Sequence, residues 1–267
     1  MTSPADPPPH VDAEDHELAA LLATGAGELL VELRAELDAA GEHPAHLKEL
    51  GDAIANRWLM DQLAQHRPDD PVLSEEQYEH PESTRTRLAS RRAWIVDPLD
   101  GTREFSEVPR PDWAVHVALA IDGIAACGAV SLPAFSVTYA TGAAGVPLVV
   151  PPHDGAPRII VSRSRPPWEA LEICTQLNGE LVRMGSAGAK AMAIIRGEAD
   201  IYAHSGGQYE WDSCAPIAVA AAAGLWVSRL DGSPIRYNRP DPYLPDLLIC
   251  RPEYAEAAIK AADYRYG

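Results

Sequence analysis

The chain has 267 residues, 46% of them hydrophobic, which is enough for one large globular unit or two packed ones with substantial cores. Its net charge of -17 argues against nucleic-acid binding, because neutralising backbone phosphates takes Lys and Arg clusters and none occurs. Four widely spaced cysteines, Cys127, Cys174, Cys214 and Cys250, form no C-x-x-C pair, so buried reduced thiols are expected rather than a zinc site or a disulfide framework.

The N-terminus is Pro-rich and acidic where a signal peptide would be basic and apolar, so residues 1–15 read as a disordered lead-in and the protein as cytoplasmic. Eleven acidic side chains against Arg34 and Lys48 fall within residues 1–50, which suits a solvated helix face. Leu18, Leu21, Leu22, Leu29, Leu30, Leu33 and Leu37 are spaced for one face of a first helix, and Ile54, Trp58, Leu59 and Leu63 for a second over about 52–65. Short β-prone segments follow at 72–73, 93–96, 115–121, 125–132 and 135–139, with Asp122-Gly123 as a hairpin turn.

The Gly-, Ala- and Pro-rich stretch 142–157 marks the best boundary. It divides an N-terminal α+β half, 16–145, from a C-terminal α/β half, 146–267. In the second half, strands at 158–161, 199–202, 225–228 and 247–250 alternate with helices near 168–176, 187–196, 212–223 and 254–262. The longest apolar run, 214–227, is too short to span a bilayer.

The segment Asp97-Pro98-Leu99-Asp100-Gly101-Thr102, after the apolar run Ala93-Trp94-Ile95-Val96, brings two carboxylates to the end of a buried strand and a turn rich in N–H donors. Hard divalent cations need clustered oxygens and phosphate needs donors, so this segment can supply both. Its spacing is not that of an EF-hand, and a structural turn is the alternative. Ser74-Glu75-Glu76 offers either helix N-terminal charge or metal ligands. Asp212 precedes an almost wholly apolar helix and reads as its N-cap, a role compatible with ligation. Gly185-Ser186-Ala187-Gly188-Ala189-Lys190 opens another helix, where free N–H groups and a Lys could hold an anion or small residues could serve tight packing.

Together, Ser74-Glu75-Glu76, Trp94 through Thr102 and Trp211-Asp212 resemble, in order and spacing, the lithium-sensitive, magnesium-dependent phosphatases that include inositol monophosphatase. Asp100-Gly101-Thr102-Arg103-Glu104-Phe105, Gly188-Ala189-Lys190 and Trp211-Asp212-Ser213-Cys214-Ala215-Pro216 are more similar to the CysQ-like nucleotide phosphatases within that group. The resemblance implies an α+β fold, a layered αβαβα sandwich, and possession of two or three Mg²⁺ held by Glu75, Asp97, Asp100, Asp212 and the Leu99 carbonyl. It implies that Asp52 and Thr102 activate a water, and that Gly101, Thr102, Arg103, Ser186, Lys190 and Asp212 contact the substrate. Ser162-Arg163-Ser164-Arg165 is a further segment expected to orient a nucleotide. One departure stands out: the family usually carries a Thr shortly before the acid at Asp52, where this chain has Lys48-Glu49-Leu50-Gly51.

The activity implied is hydrolysis of the 3'-phosphate of 3'-phosphoadenosine 5'-phosphate and of its sulfated relative, in sulfur assimilation, by a protein that acts on small molecules, binds neither nucleic acid nor membrane, and could pair as a homodimer. Two alternatives are an inositol or fructose 1,6-bisphosphate phosphatase, and a non-catalytic protein that keeps the metal site for regulation.

Overall fold

In the computed structural model, residues 9–78 and 81–263 are described. The apolar runs expected to be strands divide their side chains between two faces, as the period of two requires. Five of them form a first sheet in the order β1 (Val72–Ser74), β2 (Arg92–Asp100), β3 (Ala114–Ile121), β4 (Ile124–Leu132) and β5 (Val137–Ala140). The pair β1–β2 is parallel and the others are antiparallel. The β3–β4 hairpin turns at Asp122 and Gly123, both with positive φ, as the Asp-Gly signal requires. A second sheet has the order β7 (Glu180–Met184), β6 (Arg158–Ser162), β8 (Ile201–Tyr209), β10 (Tyr243–Cys250) and β9 (Trp226–Ser228).

The helices are α1 (Ala13–Ala39), α2 (Pro44–His66), α3 (Pro81–Ala89), α4 (Thr102–Ser106), α5 (Trp168–Gln176), α6 (Ala187–Ile195), α7 (Glu210–Ala222) and α8 (Ala255–Ala262). Trp94 and Val96 of β2, with Val115, Val117 and Leu119 of β3, join Leu22, Leu30 and Leu59 of α1 and α2 in one core. The opposite face of that sheet, Ile95, Ala118 and Ala120, packs on α6 and α7 in a central core that also takes Ile160 and Tyr202 of the second sheet. The outer face of the second sheet, Ile159, Val161, Ile201 and Ala203, is covered by Ile173 of α5 and Ala258 of α8. Five layers result, αβαβα, as expected, with two-faced burial explaining the near-continuous apolar strands.

Several elements differ from the sequence reading. α1 already includes residues 13–15, and Asp15 is 2% exposed and ion-paired to Arg67 at 2.8 Å and Arg92 at 3.1 Å, so the expected disordered lead-in does not reach residue 15. Its first eight residues lie outside the described ones. The buried face of α1 is built from Leu18, Ala19, Leu22, Ala23, Ala26 and Leu30, while Leu21 is 56% exposed; alanines let the helix lie close to the sheet, and leucine spacing alone hides that. α2 starts at Pro44, earlier than expected, because proline suits the first helical position. The expectation missed α3, which has no apolar stripe, and β7, an edge strand whose Glu180 and Arg183 make it polar.

The stretch from 142 to 157 holds neither helix nor strand, yet Val146, Leu148 and Val150 pack against the central core. Cys127, Cys214 and Cys250 are buried and Cys174 half-buried, all as free thiols. No helix among the described residues is long and apolar enough to cross a membrane.

Candidate active site

The C-terminal end of β2 is buried to its last residue. Pro98 has no N–H for the ladder, and the β2–β3 register shifts between Asp97 and Asp100. The chain then turns at Gly101, whose φ of +86° is open to glycine and whose missing Cβ would meet Ser186 Cβ at 3.1 Å and Asp112 O at 3.2 Å. Thr102 opens α4, and its hydroxyl lies 3.1 Å from Leu99 O and 3.4 Å from Asp52 Oδ1. Asp52 reaches it from the middle of α2 because Gly51 lets the two helices touch: a Cβ at Gly51 would be 2.9 Å from Leu99 Cδ2 and 3.0 Å from Phe105 Cε1.

Asp97, Asp100 and Asp212 each bring a carboxylate oxygen within 4.8 Å of the others. Asp212 stands in the first turn of α7, not at its N-cap as the sequence suggested; Tyr209 is the N-cap, and Asp212 Oδ2 accepts its backbone N–H at 2.7 Å in a capping box. Glu75 lies in a short 3-10 turn capped by Ser74, whose hydroxyl donates to Asn56 Oδ1 at 2.8 Å on α2. The Asp97 carboxyl is close enough to Glu75 for each to shift the other's protonation.

Carboxylates buried close together are costly to ionise, and the upward shifts at Glu75, Asp212, Asp97 and Asp52 follow from that. Burial, then the Asp212 and Asp52 carboxylates, pushes Glu75 up to about 8. Burial and Asp100 push Asp212 up to about 7, against the Tyr209 N–H. Burial and Glu75 raise Asp97 well above the usual carboxylate range. Burial and Glu76 raise Asp52 to about 7. Asp100 goes the other way: burial would raise it, but His116, Lys190 and the Ser186 hydroxyl together lower it. Oxygen-only donors, mutual repulsion and short separations are what a hard divalent cation would relieve, so the residues present fit such an ion.

The α6 N-terminus does bind an anion, but an internal one. Asp100 Oδ1 accepts Ala187 N–H at 3.0 Å, and Oδ2 accepts Gly188 N–H at 2.7 Å and the Ser186 hydroxyl. Ser186 and these donors are therefore engaged by Asp100, where the sequence left them open to a ligand. Lys190 is not a solvated surface lysine: it is 5% exposed, donates to Ser186 O at 2.5 Å and lies 5.2 Å from the Tyr202 ring centre. Arg103 is ion-paired to Glu107 at 3.0 Å on the exposed surface of α4. Arg163 clamps Glu104 at 2.6 Å and Glu107 at 2.7 Å, tying the end of β6 to α4, while Arg165 is exposed.

Sequence reasoning missed His116, fully buried on β3 beside Asp100, and Glu104, whose carboxyl fills the space a Gly185 Cβ would need. A lone histidine in the apolar run Ala114–Ile121 was the available signal for the first.

The profile of the inositol monophosphatase family matches residues 13–264. The chain belongs to that family. It is 48% identical, over 258 residues and 90% of each chain, to a Mycobacterium leprae protein named 3'-phosphoadenosine 5'-phosphate phosphatase. It is 35% identical over 201 residues, 72% of this chain and 80% of the other, to the Escherichia coli 3'(2'),5'-bisphosphate nucleotidase CysQ. Among solved structures, inositol monophosphatase II of Staphylococcus aureus superposes with a TM-score of 0.72 over 91% of this chain and 94% of that one, at 21% identity, a likeness of fold. The five-layer sandwich is thus that of an inositol monophosphatase.

Proposed function

We propose that the protein is a Mg²⁺-dependent phosphomonoester hydrolase that removes the 3'-phosphate of 3'-phosphoadenosine 5'-phosphate, giving AMP and phosphate. The observation that carries this reading is the 48% identity, across 90% of the chain, to the M. leprae phosphatase named for that substrate. The carboxylate cluster supports the metal-assisted chemistry and does not by itself choose the substrate.

Glu75, Asp97, Asp100, Asp212 and the Leu99 carbonyl would hold two or three Mg²⁺. The chemistry such ions would supply there is neutralisation of charge on the phosphoryl oxygens and on the departing 3'-oxygen. The N–H groups of Gly101 and Thr102 orient the phosphate, and Asp112 and Trp113 behind Gly101 keep that turn in place. Thr102 has one hydroxyl hydrogen and two acceptors in reach, Leu99 O and Asp52 Oδ1. Turned toward Asp52, it passes on the proton taken from the attacking water. The water oxygen bonds to phosphorus in line as the ester P–O bond breaks, and the 3'-oxygen leaves as an alkoxide that takes its proton from solvent water. No side chain becomes phosphorylated in this scheme.

Ser186 and Lys190, buried and already engaged at the start of α6, brace Asp100 in this reading. The test is phosphate release from 3'-phosphoadenosine 5'-phosphate by wild type and Asp100→Asn. Mg²⁺-dependent release abolished by EDTA and by the substitution is the expected outcome. Release that survives either treatment overturns the reading.

A further inference from the structure

β3 sends a single polar side chain into the central layer, His116, which is fully buried and pairs in register with Asp97. Its Nδ1 lies 3.0 Å from Trp211 O, and since a carbonyl only accepts, Nδ1 carries a hydrogen. The same nitrogen is 4.0 Å from Asp97 Oδ2. Nε2 stands 3.2 Å from Asp100 Oδ2 and has no hydrogen bond of good geometry among the described residues. One ring therefore spans both carboxylates at the end of β2 and the residue just before Asp212 in the first turn of α7.

Gly188 closes the remaining side. A Cβ there would fall 2.1 Å from His116 Nε2, so the α6 backbone is packed against the ring, while its own N–H holds Asp100 Oδ2 at 2.7 Å. With α6 filling that space, the ring acts on Asp100 rather than on an ion. Three elements that carry or brace the cluster, β2, α6 and α7, thus meet at a single imidazole. Groups that orient metal ligands from behind commonly set affinity by about 10–100-fold.

We propose that His116 is a positioning residue: pinned to the Trp211 carbonyl and abutting Asp100, it fixes the separation of Asp100 from Asp212 and so the affinity of the cluster for divalent cations. This rests on the reading of the cluster as the Mg²⁺ site. His116 itself touches neither ion nor substrate in this assignment.

The experiment is Mn²⁺ binding, followed by electron paramagnetic resonance of free Mn²⁺ and by calorimetry, on the full chain as wild type, His116→Leu and His116→Asn, each also unfolded in urea with EDTA. Asn places an amide nitrogen near the position of Nδ1 and keeps the bond to Trp211 O, but cannot reach Asp100. Mn²⁺ affinity is expected to fall about 10–100-fold in His116→Leu and by a smaller factor in His116→Asn, without following the order of metal-free stability. Should the leucine variant not fold, a weakened asparagine variant carries the same conclusion. Folded variants that bind Mn²⁺ within about threefold of wild type overturn the proposal while leaving the metal site standing. A wild type that binds no Mn²⁺ overturns the metal reading itself, and the two failures are distinct.

Discussion

Asp52 Oδ1 lies 3.4 Å from the Thr102 hydroxyl, across the seam where α2 packs on α4. The two residues are fifty positions apart, and their meeting depends on Gly51 presenting no side chain to Leu99 and Phe105. In the proposed mechanism Asp52→Asn removes the carboxylate that accepts the relayed proton and leaves Glu75, Asp97, Asp100 and Asp212 in place. Turnover should fall about 10²–10⁴-fold with Mn²⁺ affinity unchanged. Turnover within a few-fold of wild type, at full metal occupancy, would remove Asp52 from the mechanism.

Gly51→Ala tests the seam. The added Cβ has no room at 2.9 Å from Leu99 Cδ2, and overpacking of this kind costs about 1–3 kcal/mol, more than the helix gains from alanine. Urea unfolding should show the loss, and turnover should drop with it as Asp52 is levered from Thr102. A variant as stable and active as wild type would show that the seam yields freely.

The acidic cluster sets a pH dependence that metal should erase. Burial and neighbouring carboxylates raise Glu75 to about 8 and Asp212 to about 7, above the values near 4 of an unfolded chain. A raised folded-state pKa contributes stability that is complete below the unfolded value and is lost as pH climbs through the folded one. In EDTA, stability should therefore decline between about pH 4 and pH 8, and Mg²⁺ at 100 times its Kd should restore about 2.7 kcal/mol near neutrality. Asp97→Asn, which relieves repulsion but keeps an oxygen for the Leu99 N–H, should melt no lower than wild type in EDTA and gain little from Mg²⁺. Wild-type stability indifferent to both pH and Mg²⁺ over that range would contradict this.

Far from the site, Asp200 is fully buried between Arg158, at 2.9 Å, and Arg251, at 2.7 Å. Burial opposes its ionisation, but the hydrogen bonds from Arg158 and Arg251 prevail and lower its pKa. A lowered pKa contributes stability that is present above the unfolded value, near 3.9, and disappears as pH falls through the folded one. Asp200→Asn should cost about 3–5 kcal/mol at neutral pH, by leaving the two guanidiniums uncompensated, and should flatten the acid limb of the stability curve. Thermal melts at pH 7 and below pH 4 read both effects.

Much of this was legible in the chain because it is local. The β2 run and the turn after it announce their strand by apolarity and their carboxylates by spacing, and the Asp122-Gly123 hairpin follows from two residues that tolerate positive φ. The elements that escaped, α3 and β7, carry no periodic apolar face, since their positions are edges and surface. Non-local chemistry escaped too. Nothing in Ser186-Ala187-Gly188 says that its N–H groups will be taken by Asp100 from another sheet, and nothing near Lys190 says that it will be buried. Arg103 sits two residues from Gly101 in sequence, yet the helical turn of α4 swings it to Glu107.

The most direct measurement of the whole account is Mg²⁺-dependent phosphate release from 3'-phosphoadenosine 5'-phosphate, inositol 1-phosphate and fructose 1,6-bisphosphate in parallel, each with and without lithium. A marked preference for the nucleotide, inhibited by lithium, is the expected result. Preference for inositol or sugar phosphate would contradict the substrate assignment while sparing the metal site, and no Mg²⁺-dependent release from any of the three would contradict the catalytic reading altogether.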